Sequence, residues 1–443
     1  MNFSPYSMPR SARWRLTCPA RADFTASSIP RRYTSMSGTS RSRAVRTALA
    51  FLCAIVLSGL SMPAPAAAAD QTIKIGLDFS VSGADAADDQ PPQFGAMLAI
   101  DEANKTAPKG FRFEAMALDD AVAGIHNPQQ GATNIRALIA DPAVLAVVGP
   151  GFSNVSAATI PLTNPVGLVQ ITTQATNPTL TKTTKYRTAY PDRPNYFRVC
   201  ATDDLQGRAD AELAKSLHLE RVYIIDDNET YGRGLAEVFE KKFRELGGTV
   251  LGHDHITAQQ QDFKALLTKI ASMSPQAIFF GGTTSTGGGL IRQQMPSAGL
   301  DPEHVAYLGG DGLNSKEFVK LAGAAANNIY YTVASPHLAD TPAVRSFTAT
   351  YREHYHSDLG AYSANGYVAA QTVIAAIESA IKKNHGAMPT RVQVLDAMRQ
   401  TKMETLIGPV SFDKNGDTTN PIFSVMHVKD GKQLYMSQIT IKD

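Results

Sequence analysis

From Ile73 onward the apolar positions of the chain switch between two periods. Ile73 to Phe79 (IKIGLDF) reads as a strand, and Phe94 to Asn104 places Met97, Leu98 and Asp101 around successive helical turns. Phe111 to Leu118 predicts the next strand. Pro128 opens a helix carrying Ile135, Leu138 and Ile139, and Ala143 to Val148 (AVLAVV) is apolar enough for a strand buried on both faces. The unit then recurs. Val166 to Thr172, Arg221 to Ile225, Ala277 to Phe280 and Val305 to Leu308 predict strands, each followed by a Gly-, Asn- or Thr-bearing loop and a helical pattern. Leu235, Val238, Phe239, Phe243 and Leu246 make one of these helices amphipathic, and Gly247-Gly248 ends it. Alternating βα units imply parallel sheets covered by helices, with binding loops at the carboxyl ends of the strands. The stretch after residue 70 is long for one such sheet, so two doubly wound lobes with a ligand between them are expected. Periodicity does not place the crossings between lobes, although the loop Thr181 to Asn195 is a plausible approach to one.

Composition narrows the class. Of the 443 residues, 43% are hydrophobic and 19% charged, which excludes a disordered tail or a fibre. The net charge of +2 conceals an asymmetry: residues 1–69 hold nine arginines and one acid, Asp23, leaving 33 basic and 39 acidic residues beyond them. That acidic remainder argues against a nucleic-acid partner. The basic start reads as a targeting segment. Arg41, Arg43 and Arg46 form its positive region, Leu49 to Leu60 its apolar run, and Pro63 to Ala69 a small-residue cleavage tract, so export to the periplasm with cleavage near Ala69 is expected. Leu52 precedes Cys53 where lipid attachment requires a small residue. The Arg-rich stretch before Met36 has no place in an ordinary signal peptide, which points to Met36 as the translation start; Arg31-Arg32 as a twin-arginine signal lies far from the apolar run. No later segment is long and apolar enough for a bilayer, and beyond Ala69 only Cys200 remains, so neither an internal disulfide nor a cysteine metal cage is expected.

Four loops at predicted strand ends carry candidate chemistry. After Val144 to Val148 comes Gly149-Pro150-Gly151-Phe152-Ser153. Ser153 at a helix N-terminus either caps its own helix or, with the free N–H groups there, seats an anion. After Val169 to Thr172, Thr176 offers a hydroxyl and an N–H, Gln174 its backbone, and Asn177-Pro178 suits a helix start. In Asp226 to Gly232, Tyr231 either points a ring and hydroxyl into a cleft or packs on its own helix. Asp311, within Gly309-Gly310-Asp311-Gly312, either pairs with a cation on a bare glycine turn or serves the turn itself.

Other strings do not hold. Gly282 to Gly289 lacks the lysine of a phosphate loop. Asp413 to Asp417 resembles a calcium loop, but its glycine comes one place early and Ser424 stands where the bidentate glutamate belongs, so a β-turn is expected. The pairs His253/His255 and His354/His356 have no sequence neighbours at metal spacing and are expected to be solvated. No nucleophile elbow occurs.

Taken in order, IKIGLDFSVSG (73–83), LDD (118–120), VVGPGFS (147–153), ATNPTLT (175–181), the FR....D..QG pattern (197–207), DDNETYGRGLA (226–236), GGDG (309–312) and GPVSFDKNGD (408–417) resemble the type I leucine/isoleucine/valine-binding family, the periplasmic amino-acid-binding proteins of ABC importers. The likeness runs over nearly the whole chain after residue 70. It implies an α/β fold of two doubly wound parallel-sheet lobes joined by a three-strand hinge, with lobe 1 at 70–202 and 335–412 and lobe 2 at 203–334 and 413–443. It places Ser153 and Thr176 on the ligand's α-carboxylate and α-ammonium with Gln174 beside them. It also sets Asp311 against the ammonium from lobe 2, Tyr231 over the ligand, and Asp203, the acid of the 197–207 pattern, among the binding residues. Asp88 and Thr283 fall where leucine binders in the family carry aromatic residues, and Phe152 replaces a small residue. A purely aliphatic pocket therefore does not follow, and a polar or basic amino acid or an amide-like relative also fits. Asp88 is otherwise a solvated loop acid, with Asp85 and Asp89 beside it.

The resulting expectation is a monomeric, non-enzymatic binding protein without cofactor or metal that captures an amino acid by cleft closure and hands it to an inner-membrane ABC permease with cytoplasmic ATPases. The alternatives are a ligand-sensing receptor module of the same fold and an exported α/β hydrolase with Ser153 as nucleophile, against which stands the lack of histidine in these loops.

Overall fold

The computed structural model describes residues 70–441; the targeting segment and its cleavage tract lie outside them. The first stretch of chain runs through β1 (Gln71–Phe79), α1 (Ala86–Ala103), β2 (Phe111–Asp119), the short hairpin β3 (Ala121–Val122) and β4 (Ile125–His126), α2 (Pro128–Ala140), β5 (Val144–Val148), α3 (Ser153–Thr163), β6 (Val169–Thr172) and β7 (Tyr196–Arg198). Strands β1, β2 and β5–β7 form one parallel sheet in the order β2-β1-β5-β6-β7. As its apolar run requires, β5 is buried at every position.

The chain then passes into α4 (Asp203–Ser216), β8 (Arg221–Asp226), α5 (Thr230–Glu245), β9 (Thr249–His255), α6 (Lys264–Ala271), β10 (Ala277–Gly281), α7 (Gly289–Gln294), β11 (Ala306–Gly309), α8 (Lys316–Ala322) and β12 (Ile329–Val333). It returns to the first sheet as α9 (Pro342–Tyr355), α10 (Ser363–Lys383), α11 (Arg391–Met398) and the β13 (Met403–Thr405) and β14 (Gly408–Val410) hairpin, then crosses back as β15 (Phe423–Lys429) and β16 (Lys432–Ile439). The second sheet has the order β16-β15-β12-β11-β10-β8-β9, with only the pairings of β15 to β12 and to β16 antiparallel. The two sheets are thus joined by three crossings, after β7, after β12 and after β14.

The crossings bond to one another: the Ala201 N–H donates to the Ala334 carbonyl at 3.0 Å, the Arg198 N–H to the Gly416 carbonyl at 3.1 Å, and the Ser424 hydroxyl to the Ser335 carbonyl at 2.8 Å. Arg198, wholly buried, pairs through Nε with Asp417 at 2.7 Å and donates to the carbonyls of Ala175 and Asn177. The Asp413 to Asp417 segment is a turn, its three following N–H groups donating to Asp413 Oδ1.

Helix α1 starts eight residues before the predicted Phe94. Pro91 and Pro92 read as a break, yet both lie inside the helix. Tertiary packing overrides them. Glycines at the α1–α10 crossing let the two backbones touch, since a Cβ on Gly366 would sit 1.9 Å from the Pro92 carbonyl oxygen. The predicted strand from Val166 starts at Val169 because Asn164–Val166 winds as a 3₁₀ turn that ends on Gly167 in the left-handed region. Among the described residues, no helix is long and apolar enough to cross a membrane.

Candidate functional site

The loops at the carboxyl ends of the parallel strands in both sheets converge on one cavity. Lobe 1 contributes Asp88 from α1, Phe152 and Ser153 after β5, Gln174 after β6, and Tyr362 before α10. Lobe 2 contributes Tyr231 from the first turn of α5, Thr283 after β10, and Asp311 and Asn314 after β11. Close approach dictates two glycines here. A Cβ on Gly151 would lie 1.9 Å from Asp89 Oδ1, and one on Gly312 would lie 2.3 Å from the Gly282 carbonyl oxygen.

Asp311 is the electrostatic centre. Tyr231 donates its hydroxyl to Oδ1 at 3.0 Å while accepting the Gly312 N–H at 3.0 Å, and Tyr362 donates to Oδ2 at 2.8 Å. Burial raises the carboxyl of Asp311 above its ordinary value, and the hydrogen bonds from Tyr362, Gln206 and Tyr231 only partly offset that. Two further buried acids lie within electrostatic reach. Both oxygens of Asp203 lack a well-formed hydrogen bond, and burial with the charge of Asp311 pushes this group well above the carboxylate range; Asp210 is raised in the same way. A buried acidic cluster of this kind favours a cation.

Opposite it, Ser153 is the first residue of α3 rather than its cap, which is Phe152; the cap makes no side-chain bond, and Asn154 Oδ1 accepts the Val155 N–H at 2.9 Å. The Ser153 hydroxyl instead accepts the Asn177 N–H at 3.3 Å. Neutral donors at a helix start facing an acidic centre across a cavity can hold the two ends of a zwitterion.

Other sequence expectations need correction. Thr176 and Asp203 do not line the cavity: the Asp203 N–H donates to the Thr176 carbonyl at 3.0 Å, tucking Thr176 against the start of α4, and both residues are wholly buried. Gln174 does line the cavity, and its Nε2 donates to Asp89 Oδ1 at 2.7 Å. Asp88 is a half-buried helical residue, not a solvated loop acid, and burial with the nearby Asp85 pushes its carboxyl up to about 7. Asp85 and Asp89 are wholly buried. His253 and His255 are not free either; both bond to Asp226, at 2.6 and 2.7 Å. His354 and His356 are exposed, as expected.

Three residues have no signal in the sequence. Tyr362 precedes α10 without helical periodicity to mark it. His126 is buried and stacks on Phe152 with ring centroids 4.0 Å apart. Its Nδ1 meets Asp85 Oδ2 at 2.8 Å and its Nε2 meets Glu229 Oε2 at 2.8 Å, where Asn154 also donates at 2.9 Å. Glu229 opens α5 in lobe 2, so this chain of bonds ties the lobes together at the cavity rim. Although burial works against it, the bonds to Asp85 and Glu229 raise His126 well above the ordinary imidazole value.

The profile of the family described as periplasmic binding protein matches residues 72–433. The chain belongs to the periplasmic binding proteins, in their leucine/isoleucine/valine-binding family. It is 31% identical to the Leu/Ile/Val-binding protein BraC3 of Rhizobium johnstonii over 86% of this chain and 97% of that protein. Among solved structures, it is similar to the leucine-binding protein LivK of Thermotoga maritima, with TM-score 0.73 and 28% identity over 83% of this chain and 98% of the other. It is also similar to LivJ of Streptococcus pneumoniae in complex with isoleucine, with TM-score 0.72 and 28% identity over 84% of this chain and all of the other. As a periplasmic binding protein, the chain is a solute-binding component of an ABC transporter and not an enzyme.

Proposed function

We propose that this periplasmic binding protein captures an α-amino acid between its lobes, the ammonium against Asp311 and the carboxylate against Ser153 and the start of α3. The observation that carries this reading is the cavity itself, which sets a buried carboxylate on lobe 2 opposite a helix N-terminus on lobe 1. In a site shielded from water both ends of a zwitterion interact with such groups far more strongly than in bulk. Because the two halves belong to different lobes, the ligand stabilises the closed arrangement, and closure is the state a permease reads. The names of similar proteins support a branched-chain ligand, while Asp88, Thr283 and Asn314 in the wall leave room for a side chain with a polar group. Delivery to an inner-membrane permease with cytoplasmic ATPases, action as a monomer, and release into the periplasm by cleavage near Ala69 belong to the same reading.

A thermal-shift screen against amino acids, their amides and small carboxylates tests it. One class of α-amino acids is expected to raise the melting temperature, and Asp311→Ala to abolish the response. A response to carboxylates alone, or one that survives Asp311→Ala, contradicts the reading.

A further inference from the structure

The carboxyl end of the β8–β9 pair gathers a second set of chemistry-bearing side chains, none of which lines the cavity. On β9, His253 and His255 stand two residues apart and therefore on one face of the strand. In the parallel register His255 is level with Asp226, the last residue of β8. His253 Nε2 and His255 Nδ1 both reach Asp226 Oδ2, at 2.6 and 2.7 Å, and the three atoms lie within 4.8 Å of one another.

We propose that Asp226, His253 and His255 bind one divalent transition-metal ion of the zinc class. Two imidazoles and a carboxylate suit a borderline ion, and three protein donors leave a fourth position for water. Bonds of about 2.0 to 2.2 Å place tetrahedral donors about 3.4 Å apart, so the cluster needs shifts of under about 1 Å. The ion takes the place of the protons that His253 and His255 now direct at Asp226.

The surroundings are those of a supported site. The far nitrogen of His253, Nδ1, meets Glu240 Oε2 at 2.8 Å, and Arg244 holds Glu240 through Oε1 at 2.8 Å. An outer carboxylate on a ligating histidine fixes its tautomer and orientation. Asp226 Oδ1 accepts the Asn228 N–H at 2.8 Å, leaving Oδ2 for the metal. Exposure is graded from 0% at Asp226 through 15% at His253 to 50% at His255, which gives an ion a way in from solvent.

The test is calorimetric titration of ZnCl₂ into the untagged protein after removal of metal with chelator, with cobalt(II) spectra as a second readout. One equivalent is expected to bind, with the visible bands of four-coordinate cobalt. His255→Ala, at the half-exposed ligand, is expected to weaken zinc binding at least about 100-fold, and Glu240→Gln to weaken it about 10-fold through the outer carboxylate. Both variants are expected to keep the wild-type circular dichroism. Absence of stoichiometric zinc binding in the wild type, or unchanged binding in His255→Ala, overturns the proposal.

Discussion

Asp311 accepts hydrogen bonds from two phenols, and in the proposed reading the ligand's ammonium pairs with it. Ser153 has the lesser role, because the N–H groups at the start of α3 remain when its hydroxyl is removed. Ser153→Ala is accordingly expected to weaken amino-acid binding by about 1 to 2 kcal/mol, measured by calorimetry, against complete loss for Asp311→Ala. A drop as complete for Ser153→Ala would shift the anion seat from the helix to the hydroxyl. Asp88 offers a pH handle. Its carboxyl is pushed up from the ordinary 3.8 to about 7, so between these values the folded chain holds a proton that the unfolded chain has lost. The stability from this group is full below about pH 4 and declines as pH rises to 7, by up to about 1.4 kcal/mol per pH unit. Asp120 and Asp227, likewise pushed up to about 7, add to the decline. Urea midpoints should therefore fall from pH 5 to pH 7, and fall less in Asp88→Asn; an equal fall in both proteins would place the Asp88 proton elsewhere. Ser153, Tyr231 and Asp311 stand out in the sequence as candidates because each lies in the loop or first helical turn after a recognisable strand, although the residues alone leave their roles open. His126, Glu229 and Tyr362 do not, because their roles arise from contacts between distant segments: His126 and Glu229 stand 103 residues apart, and Tyr362 and Asp311 stand 51 apart.

Elements, more than single residues, follow from local pattern. Many of the parallel strands announce themselves as apolar runs because both faces of each sheet are covered, whereas β7 and β12 are not among the predicted strands. What local pattern misses is the first turns of α1, where packing against α10 keeps the helix intact through Pro91 and Pro92, so Asp88, named as a candidate, stands on a helix and not in a loop. The loops between elements also hold the lobes in place. Arg198 at the end of β7 binds Asp417 on another crossing and braces the turn that carries Gln174. Removing one partner of a buried pair leaves the other uncompensated, so Arg198→Ala is expected to cost about 3 to 5 kcal/mol in urea unfolding. A loss under about 1 kcal/mol would mean that the pair is solvated. Between the lobes, Glu229→Gln removes the charge that faces His126 and is expected to weaken ligand affinity about 10-fold, or about 1.4 kcal/mol, with each lobe intact. Unchanged affinity would show that the rim contact follows closure without favouring it.

At the scale of the whole molecule, two sheets are joined by three bonded crossings, and the proposed closure requires only small changes at these joints while each lobe keeps its core. The sequence motifs predict this division through their family likeness, whereas periodicity alone leaves the crossings unplaced because nothing in a hydrophobic pattern marks a change of sheet. Residues from both lobes line the cavity, so in the proposed reading ligand recognition and closure are one event, with Asp311 at its centre. The most direct measurement is calorimetric titration of the preferred amino acid beside its deaminated carboxylic acid, which keeps the carboxylate and side chain and lacks only the ammonium. Loss of a charged hydrogen-bonded partner predicts at least about 100-fold weaker binding of the deaminated compound to the wild type, with the difference collapsing in Asp311→Asn. Equal affinity for the two compounds in the wild type would contradict the account.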